Sequence, residues 1–496
     1  MNKAETDTSS QTSRMNTDPV HAESLEALEA RVRHELALLD HPKAEWVPPR
    51  TDKSGRHVYD VLMVGAGQSG LGTLFALGRE NVTNIIALDR NPAGREGPWM
   101  TYARMNLLRT NKNVTGPALG FPSLTPRAWY TAKHSTEAWD TLERLSRLEW
   151  QEYLDWYRRV LDLPVQNETE AGPLEPENPD KADSLIRIPL KATGPSGKTG
   201  LIYAREVVLA NGLEGCGGWH VPELISDNLP DDRYVQANTE FDFTGVRAKR
   251  VSVVGANASG FDAAAVALEN GAANVDLLVR RPEIPKINAH RPLDTNTWHR
   301  HFADLDMATR WRLMVHIMRN NQPPPQDTFD RARALPGFRM HEDFAIQTIA
   351  LDDTNITIRS EKGDTLRTDF VIAATGFICD FSLRVETASI AKHIALWRDR
   401  YDPPTETDWE PMGTYPWLEG GFAFQEKVPG TAPWLHHIYC YSLGTKPSLG
   451  LTGGSASSIR FAVPRLIQDV SRQLFLDDEH HHTATLHGHD GIDLTL

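Results

Sequence analysis

The strongest constraint on this chain is a pair of matching glycine turns. Gly65-Ala66-Gly67-Gln68-Ser69-Gly70 closes the apolar run YDVLMVGAG, and Gly255-Ala256-Asn257-Ala258-Ser259-Gly260 closes KRVSVVGANASG. Each turn leads into a helical stretch and then a second apolar run, NIIALDR after the first and NVDLLVRR after the second. GAGQSGLGTLFALGRENVTN (65–84) and GANASGFDAAAVALENGAAN (255–274) have equal length and align without a gap. Strand, glycine turn, helix and strand form a dinucleotide-binding unit. The glycines permit a tight turn, and the helix N-terminus offers free N–H groups and a positive dipole end to a pyrophosphate. Two such units predict an α/β fold with two Rossmann-like dinucleotide-binding domains, the second inserted in the first.

The cofactor contacts expected of the first unit are Gly65, Gly67, Gln68, Ser69 and Gly70; those of the second are Gly255, Ser259 and Gly260, with Asn257 in place of the central glycine. The common register sets Asp89 opposite Val279 and Arg90 opposite Arg280. A carboxylate at this strand end accepts hydrogen bonds from ribose hydroxyls but repels a 2′-phosphate, which guanidinium groups clamp. Asp89 therefore assigns FAD to the first unit, with Arg90 beside it among the expected cofactor contacts, and Arg280 with Arg281, where the carboxylate is lacking, assigns NADPH to the second. Asn257 fits either a pyrophosphate shifted outward or a direct bond from its amide.

With 496 residues the chain has room for two or three domains. Its formal net charge is −14, from 52 basic and 66 acidic residues, which argues against a nucleic-acid partner. Cys216, Cys379 and Cys440 are far apart and form no C-x-x-C pair, so a reduced, cytoplasmic setting is the expectation. No apolar run reaches the ~18 residues of a membrane span. The opening MNKAETDTSSQTSR lacks the apolar centre of a secretory signal.

The expected organisation is an N-terminal extension (1–55), a first part of the FAD domain (56–215), an NADPH domain (216–340), the second part of the FAD domain (341–477) and a His-rich tail (478–496). Residues 1–22 read as disordered, and Leu25, Leu28, Val32, Leu36 and Leu39 are spaced for a helix over 23–39. Trp150, Leu154, Tyr157 and Leu161 form a helical stripe that reads as core rather than as a substrate platform. Residues 165–200 read as hairpins or loops, 299–319 as a helix, FVIAATGF (370–377) as a buried strand, and GLTGGSASSIRFAVPRLIQDVSRQLF as a glycine turn feeding a helix. The tail histidines His480, His481, His482, His487 and His489 read as a disordered segment, and no metal site is expected.

Tandem dinucleotide units followed by a distal Ala374-Thr375-Gly376-Phe377 resemble the class B flavoprotein monooxygenases. In that group the segment bridges the FAD and NADP domains, which adds Thr375 and Gly376 to the expected cofactor contacts. Met105-Asn106-Leu107-Leu108-Arg109-Thr110-Asn111 resembles the family's Thr-Asn segment beside the flavin, and Gly97-Pro98-Trp99 the segment that covers the flavin edge. The resemblance implies a role at the flavin for Asn111 and Trp99, with Lys112 a further candidate donor. It also implies FAD and NADPH as cofactors, O2 and a small molecule as substrates, and admits a homodimer. NADPH would reduce FAD, and an oxygen adduct at the flavin C4a would pass one oxygen atom to an N-heterocycle, an amine nitrogen or a carbonyl. The run from GREGPWMTYARM to WQEYLDWYRRVL is similar to the bacterial branch containing FAD-dependent urate hydroxylases. One departure stands out: Gln236 occupies the place of the family's fingerprint histidine. A flavin-dependent NADPH oxidase and a dinucleotide sensor remain alternatives, whereas a disulfide reductase would need a cysteine pair.

Overall fold

The computed structural model describes residues 23–39, 45–491, 493 and 494. The disorder expected for 1–22 lies outside them. The N-terminal helix runs over Leu25–Leu38, its first turn capped by the Ser24 hydroxyl, with Leu28 and Val32 buried.

The first glycine unit builds an eight-stranded sheet. Val58–Val64 lies parallel to Ile85–Leu88 on one side, with Val61 opposite Ile85, and to Gly200–Leu209 on the other. Gly200–Leu209 also pairs antiparallel with Ile186–Ala192 and parallel with Ile438–Cys440, so the chain returns to this sheet after completing the second domain. The helix Gln68–Arg79 packs on the helix Ile459–Asp477 that follows the Gly-rich turn near the C-terminus. Strands covered on both faces need near-continuous apolar runs, and Val61, Leu62, Met63, Val207, Val208 and Leu209 are fully buried.

The second unit repeats the plan in a five-stranded parallel sheet. Arg250–Val254 pairs with Asn274–Leu278, Val251 opposite Val275, and with Phe370–Ala373 on its other edge. Phe338–His341 and Tyr234–Gln236 complete it. Of the buried strand expected over 370–377, Phe370–Ala373 is strand, and it joins this sheet although it lies beyond residue 340 in the chain. The reason is steric and chemical: the first strand of the unit has two edges of N–H and C=O groups, and Phe370–Ala373 satisfies the second edge. An antiparallel excursion, Ile346–Asp352, Asn355–Ser360 and Thr365–Thr368, separates it from Phe338–His341.

Trp150, Leu154 and Tyr157 of the expected stripe are buried on the helix Arg147–Val160, joined by Tyr153 and Trp156, while Leu161 stands half-buried at the C-cap. Two other expectations change. The helix expected over 299–319 is divided into Asn296–His301 and Met307–Asn320, because Asp306 caps a new helix by accepting from Thr309 N. The tail forms the helix Glu479–His487, held by His482 stacked on Phe475 with ring centroids 4.7 Å apart.

Candidate dinucleotide site

A cavity of about 460 Å³ opens where Val58–Val64 meets its helix, within the usual range for ligand pockets. Gly65, Gly67, Gln68, Ser69, Asp89, Arg90 and Trp99 line it. Gly65 has φ +103°, and a Cβ there would lie 2.6 Å from the Ala210 carbonyl oxygen; one at Gly70 would lie 2.1 Å from that of Gly65. Both positions need glycine. Gly67 occupies the N-cap position without a side-chain cap, which leaves the start of the helix to a ligand.

Asp89 is buried at the end of its strand, where Oδ2 accepts from Ala66 N at 3.0 Å and Oδ1 from Asn91 N at 2.9 Å. Burial pushes its carboxyl up, against the pull of these donors. The fixed orientation leaves further lone pairs for ribose hydroxyls. Arg90 is tied to Glu214 at 2.6 Å, another residue of the cavity wall. Trp99 Nε1 and Asn211 Oδ1 are buried without hydrogen-bond partners, and both residues line the cavity. A glycine cradle, an uncapped helix start, a ribose-directed carboxylate and orphaned polar atoms together suit a bound FAD.

The second turn has the same geometry. Gly255 N donates to Leu278 O as Gly65 N donates to Leu88 O, and Gly255 has φ +108° with a Cβ that would lie 2.4 Å from Ala374 O. A Cβ on Gly260 would lie 2.0 Å from Gly255 O. Ala374-Thr375-Gly376 therefore meets the second turn where Ala210-Asn211-Gly212 meets the first, a repeat that sequence reading missed although VVLANG and VIAATG carry it. Gly212 and Gly376 share φ near +80° and +85°. Thr375 donates to His220 O, and Gln236 Nε2 donates to Gly376 O at 3.3 Å, so the glutamine secures this loop by hydrogen bonding. Asn257 does not cap its helix; its Oδ1 accepts from Asn321 Nδ2 at 3.1 Å. Ser259 lines the cavity. Arg280 is exposed beside buried Val279, while Arg281 donates to the carbonyls of Arg319 and Asn320 at the end of the helix Met307–Asn320.

Two expected site residues lie elsewhere. Lys112 Nζ donates to the carbonyls of Trp139, Asp140 and Leu142 at 2.7–3.3 Å, which makes it a cap for the helix Thr136–Thr141. Asn111 is exposed and turned toward its own backbone, accepting from Asn113 N. Neither lines the cavity, whereas Arg109 from the same segment does, facing Asp262 of the second unit at 2.9 Å. Sequence reading missed this pair because its members stand 153 residues apart. The three cysteines, distant in sequence, meet in the core as free thiols, with burial raising those of Cys379 and Cys440. Buried and away from the cavity wall, they are not placed for disulfide exchange with a ligand held there.

Residues 62–213 match the FAD-NAD(P)-binding family, and residues 139–320 match the L-lysine 6-monooxygenase/L-ornithine 5-monooxygenase family. The chain is 39% identical over 467 residues to the FAD-dependent urate hydroxylase of Xanthomonas campestris pv. campestris, covering 94% of this chain and 96% of that protein. Among solved structures, the ornithine hydroxylase of Pseudomonas aeruginosa in its reduced form superposes with a TM-score of 0.64 at 14% identity, over 84% of this chain and 100% of that one. The FAD-bound cadaverine monooxygenase of Erwinia amylovora gives 0.61 at 13% identity, over 84% and 95% of the two chains. These superpositions establish the shared fold.

Proposed function

The chain belongs to the class B flavoprotein monooxygenases, in the family of the FAD-dependent urate hydroxylase, and we propose that it hydroxylates urate or a closely related N-heterocycle. It is an FAD- and NADPH-dependent monooxygenase: one atom of O2 enters a small-molecule substrate and the other leaves as water. The full-length likeness to the urate hydroxylase carries the choice of substrate, because the superposed ornithine and cadaverine enzymes share little more than the fold.

When bound, FAD accepts hydride from NADPH and carries the oxygen chemistry. The chain's own task is binding, orientation and exclusion of water. In this reading the helix starting at Gln68 holds the FAD pyrophosphate, Asp89 the adenosine ribose, and Trp99 Nε1 donates to the cofactor from the cavity wall. The second unit holds NADPH, with its pyrophosphate at Ser259 and Gly260 and its 2′-phosphate at Arg280. Gln236 and Thr375 hold the loop that joins the two lobes. A cytoplasmic location belongs to the same proposal and agrees with three free, buried thiols.

Oxygen consumption coupled to NADPH oxidation tests the substrate choice. Urate should stimulate both, with L-ornithine leaving them near the background rate. Stimulation by ornithine alone would overturn the proposal, and NADPH oxidation indifferent to either would indicate an oxidase.

A further inference from the structure

The cavity wall reaches into the second unit at Ser259 and, one turn further along the helix Ala258–Glu269, at Asp262. Asp262 is 3% exposed. Its Oδ2 accepts from Arg109 Nη2 at 2.9 Å, Arg331 Nη1 lies 3.7 Å from Oδ1, and Oδ1 has no hydrogen-bond partner. A carboxylate near a helix N-terminus is favoured by the dipole but repels a phosphate brought to the same terminus. A nucleotide pyrophosphate at Ser259 and Gly260 would meet that repulsion unless a cation stands between them.

Most nearby arginines are committed. Arg104 donates to the carbonyls of Tyr102, Ala237 and Thr239; burial pulls its guanidinium down to about 10. Arg331 is paired with Glu269 and donates to Arg104 O, and Arg147 donates to Trp99 O. Arg109 differs. It comes from the other lobe, its side chain is 36% exposed, it lines the cavity, and among the described residues Asp262 is its sole ion-pair partner. One of its five N–H donors is engaged there, so others remain for an anion.

We propose that Arg109 is the pyrophosphate-binding cation of the NADPH site, supplied by the FAD lobe and held in place by Asp262. Asp262 is a positioning residue: it orients the guanidinium, and Arg109 in turn screens its charge from the nucleotide. NADPH would then be bound by groups from both lobes. This inference rests on the assignment of NADPH to the second unit.

The test uses FAD-loaded enzyme and two ligands, NADP+ and adenosine 2′-monophosphate, which lacks a pyrophosphate. Arg109→Gln should raise the Kd for NADP+ about tenfold or more, as expected for a lost charge-assisted hydrogen bond, and leave that for adenosine 2′-monophosphate unchanged. Arg109→Lys, which keeps the charge, should weaken NADP+ less, and Asp262→Asn less than Arg109→Gln. Arg280→Gln should weaken both ligands, which separately verifies the NADPH assignment. Unchanged NADP+ affinity in Arg109→Gln overturns the inference, and so does equal weakening of both ligands. If Arg109→Gln loads FAD poorly, the Lys variant decides: reduced FAD affinity with NADP+ affinity intact would place Arg109 in the first site and overturn the inference, leaving the Arg280 result standing.

Discussion

Gly65 and Gly255 occupy the same place in two sheets, each followed by a twelve-residue helix and a parallel strand in the same register. At the end of that strand the two units part. The first presents buried Asp89, fixed by two backbone N–H groups, and the second presents buried Val279 followed by exposed Arg280. In the proposed reading one backbone plan serves two nucleotides, and the side chain at the second strand's end discriminates between them. On that proposal, glycine at the turn governs whether a dinucleotide binds, and the residue at the strand end governs which one.

Adding a methyl group at the turns should separate the two units most sharply. Gly65→Ala must adopt a positive φ, at a cost of about 1–3 kcal/mol, and also meets the Ala210 carbonyl. It should purify largely without flavin, whereas Gly255→Ala should keep its flavin and lose NADP+ binding; visible absorbance and nucleotide titration read the two. Equal flavin loss in both would mean that the lobes do not bind separately. Asp89→Ala comes next. It removes charge-assisted hydrogen bonds worth about 1.5–3 kcal/mol, so FAD affinity should fall roughly ten- to a hundredfold, with NADP+ affinity little changed. Arg280→Gln should raise the KM for NADPH about tenfold and leave that for NADH nearly unchanged. Arg281→Gln should do less, since Arg281 is engaged with helix-end carbonyls. Equal effects on NADPH and NADH would remove the basis for the second assignment.

The smallest effect concerns pH. The first sheet buries an ion pair that the second lacks on its corresponding strand: His437 Nδ1 lies 2.8 Å from Glu206 Oε1, and its Nε2 lies 2.7 Å from Ala182 O. With an acceptor at each ring nitrogen, His437 is held as the imidazolium. Burial alone would lower its pKa, but Glu206, assisted by Asp477 and the Ala182 carbonyl, lifts it to about 9. A raised folded pKa gives stability that is complete below the unfolded value of about 6.5 and lost as pH rises through about 9. The melting temperature should therefore decline between those values, and His437→Gln should flatten the slope while lowering stability at neutral pH. An unchanged slope would contradict the imidazolium assignment.

Much of this was legible in the chain because the two units repeat at equal length. That repeat set the register and exposed the contrast between Asp89 and Val279. Other features were hidden for identifiable reasons. A motif places Lys112 near the flavin segment but does not give its direction, and the end of the helix Thr136–Thr141 claims its ammonium. The same holds for Arg281. The strand Phe370–Ala373 was read as buried, yet its sheet depended on which strand edge remained unpaired, a property of the assembled domain. Arg109 and Asp262 look unremarkable in sequence and gain meaning only when the lobes bring them together.

Isotope labelling under 18O2 decides whether the enzyme transfers an oxygen atom to urate. With NADPH and urate, one labelled atom should enter the product for each NADPH oxidised, with little hydrogen peroxide. NADPH oxidation that yields peroxide and an unlabelled product would contradict that transfer.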